Sequence, residues 1–326
     1  MLRVLSNHQM RQLLRIDEVI GVIETGFRSL ADAPCKAPVR LALELPERED
    51  VVLYMPAYLP RDHVLGAKVV SVFPENGLRD MPVVSGTYLL HDAETGALKA
   101  LMDATYMTGI RTAATSAVAT KYLARDSPDT LGIIGAGVQA EFHVEALLLV
   151  RTFRRVLVYT RSQERGLAFV ERMALRCDVP VELASSAEEV ARQSDVIATC
   201  TRSQDPVLEG RFLRPGVHIN AVGAFTPEMR ELDELTVVNA RIVVDTYEGA
   251  LAEAGDILIP MRTGAIDQEH LHADLTQILT GQREGRTDDR SITVFESVGF
   301  AMEDAVTASL AYDLAVENDV GTMVDL

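Results

Sequence analysis

The stretch "TLGIIGAGVQAEFH", Thr130 to His143, decides the fold of the second half of the chain. Its apolar start predicts a short buried strand, and its end predicts a helix from Val138 onward. Between them, Gly135 permits a sharp turn and Gly137 leaves room for a pyrophosphate to approach the backbone. This order of strand, glycine turn and helix predicts an anion site at the helix N-terminus, of the kind that binds dinucleotides.

The residues that follow decide between a ligand site and a plain strand-to-helix connector, because glycine turns serve in both. Strand-like runs recur at residues 155–160, 179–184, 194–200, 216–223 and 240–246. Two of the intervals between them, "RGLAFVERMALR" and "SAEEVARQ", have helical composition and spacing. The alternation predicts an α/β fold with a Rossmann-type doubly wound parallel sheet.

The composition favours a globular enzyme. The chain has 326 residues, which is longer than a domain with a single hydrophobic core usually is. Two domains are therefore expected. A net charge of −17 disfavours nucleic acid and anionic membranes as partners. The three cysteines form neither a disulfide framework nor a metal motif, and no apolar run is typical of a signal peptide or a membrane span. We therefore expect a cytoplasmic protein.

About 125 residues precede the dinucleotide fold, which is enough for a domain of their own. They begin with two amphipathic helical segments, and four strand-like runs follow, so they predict an α+β unit. Near the C-terminus, "ESVGFAMEDAVTASLAYDLAVEN" predicts a long helix that packs back on this unit. The predicted domains are residues 1–124, completed by the C-terminal helix within 298–326, and residues 125–297 for the dinucleotide fold.

Five separated signatures resemble the ornithine cyclodeaminase and mu-crystallin family. They are "GAKVVSVFPEN" (66–76), "GIRTAATSAVATKYLA" (109–124), "GIIGAGVQAEFH" (132–143), "INAVGAFTPEMREL" (219–232) and "FESVGFAMEDAVTA" (295–308). The resemblance implies a homodimer, an N-terminal substrate-binding and dimerisation domain, and a nicotinamide cofactor bound between the domains. Family members include ornithine and lysine cyclodeaminases, an alanine dehydrogenase type, cyclic ketimine reductases and a thyroid-hormone-binding crystallin.

Two cationic residues interrupt segments that are otherwise apolar or small. Lys68 lies in the strand-like run "VLGAKVVSVF", where it either reaches solvent from an edge strand or serves a buried anion or a proton transfer. Arg111 is expected to open a helix of small residues. A cation at a helix N-terminus is unfavourable unless it has an anionic partner, which is either an anionic ligand or the acid of a surface salt bridge. The resemblance implies that Arg40, Lys68 and Arg111 gather around the substrate carboxylate, with Lys68 as a proton relay.

The end of the second predicted strand indicates the choice of cofactor. NAD sites usually carry an acid there, whereas this chain has Tyr159, Thr160, Arg161 and Ser162. We predict that Arg161, helped by its two neighbours, binds a 2′-phosphate, so that NADP(H) is preferred and NAD(H) is possible; a solvent-facing arginine is the alternative. The predicted cofactor contacts are Thr112, Gly135, Gly137, Val138, Gln139, Thr160, Arg161, Ser162, Thr201, Val222 and Ser297.

Other polar residues have simpler interpretations. The resemblance assigns Ser297 to the nicotinamide ring, but a helix N-cap is an equal alternative. His143 is interpreted as a structural histidine, and Cys200 as a packing residue because no activating base is evident. The remaining histidines show no ligand spacing, so no metal is predicted.

The stretch "AVGAFTP" departs from the cyclodeaminases, which carry an aspartate at the position of Phe225. A phenyl ring cannot accept a proton or offset an ammonium group, so little ornithine cyclodeamination is expected. Glu228 could replace that aspartate if the loop turns inward.

These observations predict an NAD(P)H-dependent reductase of a small cyclic imino acid, with Δ1-pyrroline-2-carboxylate to L-proline as the specific reaction. An ornithine cyclodeaminase or alanine dehydrogenase type of enzyme is the first alternative. A crystallin-type protein that binds a small ligand is the alternative from another class.

Overall fold

A computed structural model describes residues 1–45, 50–79 and 81–325. The chain divides into two compact units: unit 1 comprises Met1–Arg111 and Phe300–Leu326, and unit 2 comprises Thr112–Gly299. The predicted boundaries after residues 124 and 297 stay predictions; the compact units divide at 111/112 and 299/300. Among the described residues, no helix is both long and apolar enough to cross a bilayer.

The described part of unit 1 contains a seven-stranded mixed sheet, in the order β15-β1-β6-β5-β4-β3-β2. Elements are numbered along the chain. The strands of this sheet are β1 (Leu2–Leu5), β2 (Leu41–Leu45), β3 (Asp50–Leu59), β4 (Val64–Val72), β5 (Val84–Asp92), β6 (Leu98–Asp103) and β15 (Thr322–Val324). All neighbouring pairs are antiparallel except β1 and β6.

The helices of unit 1 include the first and the last helix of the chain, which contact this sheet. They are α1 (Asn7–Leu13), α2 (Ile16–Ser29), the start of α3 (Thr105–Leu123) and α11 (Ala301–Glu317); a 3₁₀ turn spans Pro74–Arg79. Helix α2 buries an apolar stripe that includes Val19, Ile23 and Phe27. Gly26 of α2 leaves no room for a Cβ beside the Met302 sulfur of α11, so the two helices approach closely there.

Unit 2 contains an eight-stranded sheet whose strand pairs are all parallel, in the order β13-β12-β14-β11-β10-β7-β8-β9. Its strands are β7 (Thr130–Ile134), β8 (Arg155–Tyr159), β9 (Val181–Leu183), β10 (Val196–Thr199), β11 (His218–Ala221), β12 (Ala240–Val244), β13 (Leu271–Asp274) and β14 (Ile292–Glu296). The predicted α/β class with a doubly wound parallel sheet is confirmed. Because these strands are buried on both faces, they read as continuous apolar runs.

The helices of unit 2 connect these strands. They are α4 (Val138–Val150), α5 (Gln163–Ala174), α6 (Ala187–Gln193), α7 (Glu234–Asn239), α8 (Tyr247–Glu253), α9 (Gly255–Thr263) and α10 (Leu275–Leu279), with 3₁₀ turns at Gly210–Phe212 and Gln268–His270. Helix α4 begins at Val138, as predicted from the sequence.

Two local expectations were wrong. Arg111 does not open a helix, because α3 begins at Thr105 and Arg111 lies within it. Ser297 is not the N-cap of the last helix, since α11 begins at Ala301 and its cap is Phe300. In both places a run of apolar or small residues continues across the point where the helix begins. The periodicity of the sequence alone therefore locates the first residue of the helix poorly.

Candidate active site

The strand order of unit 2 reverses between β7 and β10. From β7 the chain runs through β8 and β9 to one edge of the sheet, and then returns to β10 on the other side of β7. In open α/β sheets, ligands bind outside the carboxyl ends of the strands at such a switch point. The glycine turn after β7 lies at this position.

The geometry of the glycine turn fits a dinucleotide pyrophosphate. Gly135 has a φ of +120°, and a Cβ there would approach the Cys200 carbonyl oxygen to 2.7 Å, so no other residue fits. Gly137 is exposed, and a Cβ there would meet nothing within 4 Å, so the space beside this part of the turn is open. Gly137 also caps α4 without any side-chain hydrogen bond, so the first N–H groups of this helix remain available for an anion.

Glu231, which was not predicted from the sequence as a site residue, joins the loops after β10 and β11. Its buried carboxylate accepts hydrogen bonds from the Thr199 hydroxyl (2.8 Å), the Thr201 backbone N–H (2.6 Å) and the Gly223 backbone N–H (2.7 Å). Burial raises the pKa of Glu231, although these hydrogen bonds oppose the shift. The network fixes Thr201, a predicted cofactor contact, at the carboxyl edge of the sheet. The signal in the sequence was the second of the two acids in the signature "INAVGAFTPEMREL".

The residues directly after β8 range from half-buried to exposed. Thr160 is half-buried, Arg161 is exposed, and the Ser162 hydroxyl caps α5 by accepting a hydrogen bond from the Arg165 N–H at 3.3 Å. The predicted 2′-phosphate contact of Arg161 stays a prediction.

The remaining predicted cofactor contacts have different environments. Val138 is exposed, Gln139 is half-buried, and Thr112 and Val222 are buried. Ser297 is also buried, and its hydroxyl donates to Asp245 at 3.0 Å. The same Asp245 carboxylate accepts the Gly299 N–H at 2.8 Å, which fixes the turn after β14.

Unit 1 contains a buried network of charged side chains centred on Asp304. The Lys68 ammonium donates to the Asp304 carboxylate at 2.8 Å, and the Arg111 Nε donates to the same carboxylate at 3.0 Å. Arg111 also donates through Nη1 to Glu303 at 2.6 Å. Lys68 is 1% exposed and lies on β4 between β3 and β5, so the alternative of an edge-strand lysine that reaches solvent is wrong.

The network forms because α11 begins directly over the sheet. Glu303 and Asp304 lie in the first turn of α11, where the helix dipole favours negative charge. Both acids stand in the signature "FESVGFAMEDAVTA", yet neither was predicted from the sequence as a site residue. The signal was two adjacent acids in a helix whose other first-half positions are mostly apolar or small.

Tyr88 adds a hydroxyl group to this network. Tyr88 and Lys68 are paired residues on neighbouring strands, so their side chains lie on the same face of the sheet. The Tyr88 hydroxyl is buried and has no hydrogen-bond partner among the described residues. Gly66 makes room for it, because any Cβ at Gly66 would collide with the Tyr88 ring and hydroxyl. A buried hydroxyl without a partner is costly unless a ligand completes it.

Burial controls the protonation of this network. It lowers the pKa of Lys68 to about 8, and the nearby Arg111 charge acts in the same direction, whereas Asp304 opposes the shift. Burial disfavours the charged form of Arg111 too, but Asp304 and Glu303 outweigh it and raise the pKa of Arg111. Burial, followed by the Asp304 charge, raises the pKa of Tyr88, so its hydroxyl keeps its proton. Lys68 therefore holds a proton that it could give up near neutral pH.

Arg40 and two further residues of the substrate prediction lie in segments without regular structure. Arg40 precedes β2 and is half-buried, and its role at the carboxylate stays a prediction. Phe225 is half-buried and packs against the apolar core of unit 2. Glu228 is exposed.

His143 and Cys200 have structural environments. His143 is fully buried, with Nε2 at 2.9 Å from the Ser116 hydroxyl and Nδ1 at 2.7 Å from the Gln139 carbonyl oxygen. Burial lowers its pKa to about 4, so it is neutral at physiological pH. Burial and the Glu231 charge raise the pKa of the Cys200 thiol well above its usual value, which makes it a poor nucleophile.

A parallel sheet with a glycine turn at its switch point, together with a separate unit that holds buried cations, defines a dinucleotide-dependent class of α/β protein. The chain matches the model of the ornithine cyclodeaminase/mu-crystallin family over residues 2–319, and it belongs to that family.

Three similar proteins indicate where in the family the chain lies. A Δ1-pyrroline-2-carboxylate reductase of Bacillus cereus is 38% identical over 99% of both chains. The structure of Thermococcus litoralis Δ1-pyrroline-2-carboxylate reductase with NADH and L-proline has a TM-score of 0.97 and 43% identity, covering 99% of this chain and 100% of that one. An archaeal alanine dehydrogenase dimer with bound NAD has a TM-score of 0.94 and 34% identity over 99% of each chain.

Proposed function

We propose that this protein is a nicotinamide-dependent reductase of a small cyclic imino acid, and that it converts Δ1-pyrroline-2-carboxylate to L-proline. The observation that carries the proposal is the buried pair of cations, Lys68 and Arg111, on the carboxylate of Asp304. Such a pair suits a small ligand that has a carboxylate beside a protonatable nitrogen. Relatives that act on this substrate, or hold L-proline, match 99% of the chain and support the choice of ring.

The residues have distinct roles in this proposal. Arg111 and Arg40 bind the substrate carboxylate, and the Tyr88 hydroxyl donates a hydrogen bond to the bound ligand. Lys68 holds a proton next to the reacting C=N group. After each turnover, Lys68 takes up a new proton from solvent. A nicotinamide cofactor supplies the hydride when it is bound. The protein contributes mainly geometry and charge.

The proposed cofactor contacts are divided between the glycine turn and the neighbouring strand ends. They are Thr112, Gly135, Gly137, Val138, Gln139, Thr160, Arg161, Ser162, Thr201, Val222 and Ser297. The solved relatives hold NADH or NAD. The preference proposed for this chain is NADP(H), because residues 159–162 include an exposed arginine and no acid.

The proposed assembly is a homodimer formed through the open face of the unit 1 sheet. Cross-strand pairing aligns Leu41, Tyr54 and Val69 in one row on this face, and Leu43 lies in the next row. Leu41 is 63% exposed and Leu43 is 53% exposed, so the face presents apolar surface to solvent. A second copy of the chain would cover it, and the archaeal alanine dehydrogenase relative is described as a dimer.

A cofactor-oxidation screen tests the function. Purified protein is mixed with NADPH or NADH and, in separate assays, with pyrroline-2-carboxylate, piperideine-2-carboxylate, and pyruvate with ammonia or methylamine. Steady turnover of a cyclic imine is the expected result. Tight binding of these ligands without turnover would instead favour a small-ligand-binding protein, and turnover of pyruvate with ammonia alone would favour an alanine dehydrogenase.

A further inference from the structure

The carboxylate of Glu231 binds the loop after β10 and the loop after β11 at the same time. One oxygen accepts the Thr201 backbone N–H at 2.6 Å and the Thr201 hydroxyl at 2.7 Å. The other oxygen accepts the Gly223 backbone N–H at 2.7 Å and the Thr199 hydroxyl at 2.8 Å. Each loop therefore gives one backbone N–H to a different oxygen of the same carboxylate, so the position of this carboxylate sets the spacing of the two loops.

The backbone of Glu231 is itself held on both sides. Its N–H donates to the Asp256 carboxylate at 2.8 Å, and its carbonyl oxygen accepts the N–H groups of Val207 at 2.8 Å and Leu208 at 3.0 Å. The residue is also fully buried. A side chain supported in this way keeps one position, so the carboxylate is a fixed point to which the two loops are attached.

Gly223 shows how closely the two loops approach each other. A Cβ at this position would collide with the Thr201 carbonyl oxygen and with the Glu231 carboxylate. The positions of Thr201 and of Val222, which directly precedes Gly223, therefore depend on Glu231. Both Thr201 and Val222 are proposed cofactor contacts.

The strand order indicates which half of the cofactor these two loops would meet. The glycine turn after β7 suits the pyrophosphate, and Arg161, the residue proposed for the adenosine side, follows β8. Strand β10 lies on the other side of β7, and β11 lies beyond β10. A dinucleotide that is bound across the switch point places its two nucleotides on opposite sides of it. The nicotinamide half therefore belongs over the ends of β10 and β11.

We propose that Glu231 is a positioning residue for the nicotinamide half of the cofactor and has no part in binding the adenosine half. Glu231 acts through Thr201 and Val222, because its own carboxylate is buried and is used by the hydrogen bonds to the two loops. The inference goes beyond the proposed reaction, and it rests on the proposed function only for the identity of the cofactor.

Glu231→Gln tests this role with little change in shape. Whichever way the amide is turned, its NH2 group faces a backbone N–H, either that of Thr201 or that of Gly223. Two donors cannot bond to each other, so one of the two loops must move. The glycine turn and the residues after β8 make no hydrogen bond to this carboxylate among the described residues, and they should stay in place.

Thr199→Val is a milder variant, and Glu234→Gln is the control. Valine has a shape similar to that of threonine but lacks the hydroxyl that donates to Glu231. Glu234 is an exposed glutamate three residues along the chain from Glu231. Its carboxylate accepts a hydrogen bond from the Thr263 hydroxyl at 3.0 Å, which an amide oxygen can also accept.

Dissociation constants are measured by isothermal titration calorimetry without any imino acid. The ligands are NADH and NADPH, together with the fragment of each that keeps the adenosine and the pyrophosphate but lacks the nicotinamide riboside: ADP for NADH, and 2′-phospho-ADP for NADPH. For the cofactor that the wild type binds more tightly, Glu231→Gln should weaken binding about tenfold, and Thr199→Val should weaken it by a smaller factor. The matching fragment should bind the wild type and all three variants equally well, and the control should leave both affinities unchanged.

Two results would overturn the proposal. An equal loss of affinity for the cofactor and its fragment would assign Glu231 a general role in stability, and unchanged affinity for both would mean that the loops do not depend on it. If Glu231→Gln does not fold, Thr199→Val decides by the same comparison.

Failure of the inference and failure of the proposed function are distinguishable, because the binding measurements need no substrate. A protein that shows the expected difference between cofactor and fragment but turns over no cyclic imine would reject the reaction alone. Turnover of the imine with no such difference would reject the inference alone. A wild type that binds neither NADH nor NADPH would reject both.

Discussion

Lys68 on β4 and Asp304 on α11 are separated by 236 residues in the chain, yet the ammonium and carboxylate groups lie 2.8 Å apart in the interior of unit 1. Few arrangements justify the cost of burying a lysine, since an ammonium loses its hydration and must be compensated by partners. The Asp304 carboxylate and the neighbouring Tyr88 hydroxyl, which has no partner among the described residues, give this lysine a setting suited to proton transfer.

Lys68→Met tests that role. We expect turnover with the cyclic imine to fall by about 10²- to 10⁴-fold, the usual range for loss of a general acid, while cofactor affinity is kept. Imine reduction is measured as cofactor oxidation, and cofactor affinity is measured by fluorescence titration. Lys36→Met, at an exposed lysine, serves as the control. A folded Lys68→Met variant that retains most of its activity would rule out a chemical role.

Arg161→Ala tests the cofactor preference. A charge-assisted hydrogen bond to a 2′-phosphate contributes about 1.5–3 kcal/mol, so NADPH affinity should fall about ten- to a hundredfold. NADH lacks that phosphate, and its affinity should be nearly unchanged. Arg165→Ala removes another exposed arginine from the following helix and should affect neither cofactor. Equal losses for both cofactors in Arg161→Ala would contradict the assignment.

Leu43→Lys tests the proposed dimer surface. A charge in the middle of the open apolar face should weaken association, because it would be buried without a partner. Sedimentation velocity should find two chains per particle for the wild type and a concentration-dependent shift toward one chain for the variant. Leu175→Lys, at an isolated exposed leucine of unit 2, should remain dimeric. A wild type that sediments as a single chain would contradict the proposal directly.

Four buried carboxyl groups of unit 2 predict that stability depends on pH. Burial first, and the Glu231 charge second, raise the pKa of Asp256 from 3.8 to about 8. Burial and the charges of Asp256, Glu231 and Asp245 raise the pKa of Glu296 well above its usual value. The folded state therefore holds protons that the unfolded chain releases above about pH 4. The stability that they contribute is lost as the pH rises from about 4 toward 8.

Glu296→Gln should make this loss smaller. The amide does not titrate, so the free energy of unfolding should fall less steeply as the pH rises above the usual pKa of a glutamate, by at most about 1.4 kcal/mol per pH unit for one proton. Urea unfolding at three pH values measures the difference, with Glu228→Gln as a control at an exposed acid. Parallel pH profiles for the wild type and Glu296→Gln would mean that Glu296 is not protonated in the folded state.

The sequence predicted unit 2 better than unit 1, because its signals are local. Strand β7, the turn at Gly135 and the start of α4 at Val138 all lie within one short stretch. The signatures also identified the family, which the match over residues 2–319 confirms. The parallel pairing follows from the alternation of strands and helices, since parallel neighbours need a crossover connection.

The candidate site was less predictable, since its contacts are long-range. The sequence singled out Lys68 and Arg111 as unusual cations, but no periodicity indicated that Glu303 and Asp304 would be their partners. Glu231 was missed for the same reason: its four hydrogen bonds join the segment after β11 to the end of β10 and to the loop that follows β10. Strand β1 was also missed, because its four residues are too short for an alternating pattern to stand out.

The measurement that tests the central claim most directly is the product balance of two parallel assays. With Δ1-pyrroline-2-carboxylate and reduced cofactor, we predict that one L-proline forms for each cofactor molecule oxidised. With L-ornithine and NAD, we predict negligible release of ammonium, because Phe225 stands where cyclodeaminases carry an aspartate. Robust ammonium release from ornithine without any reduction of the imine would contradict both the proposed reaction and the interpretation of Phe225.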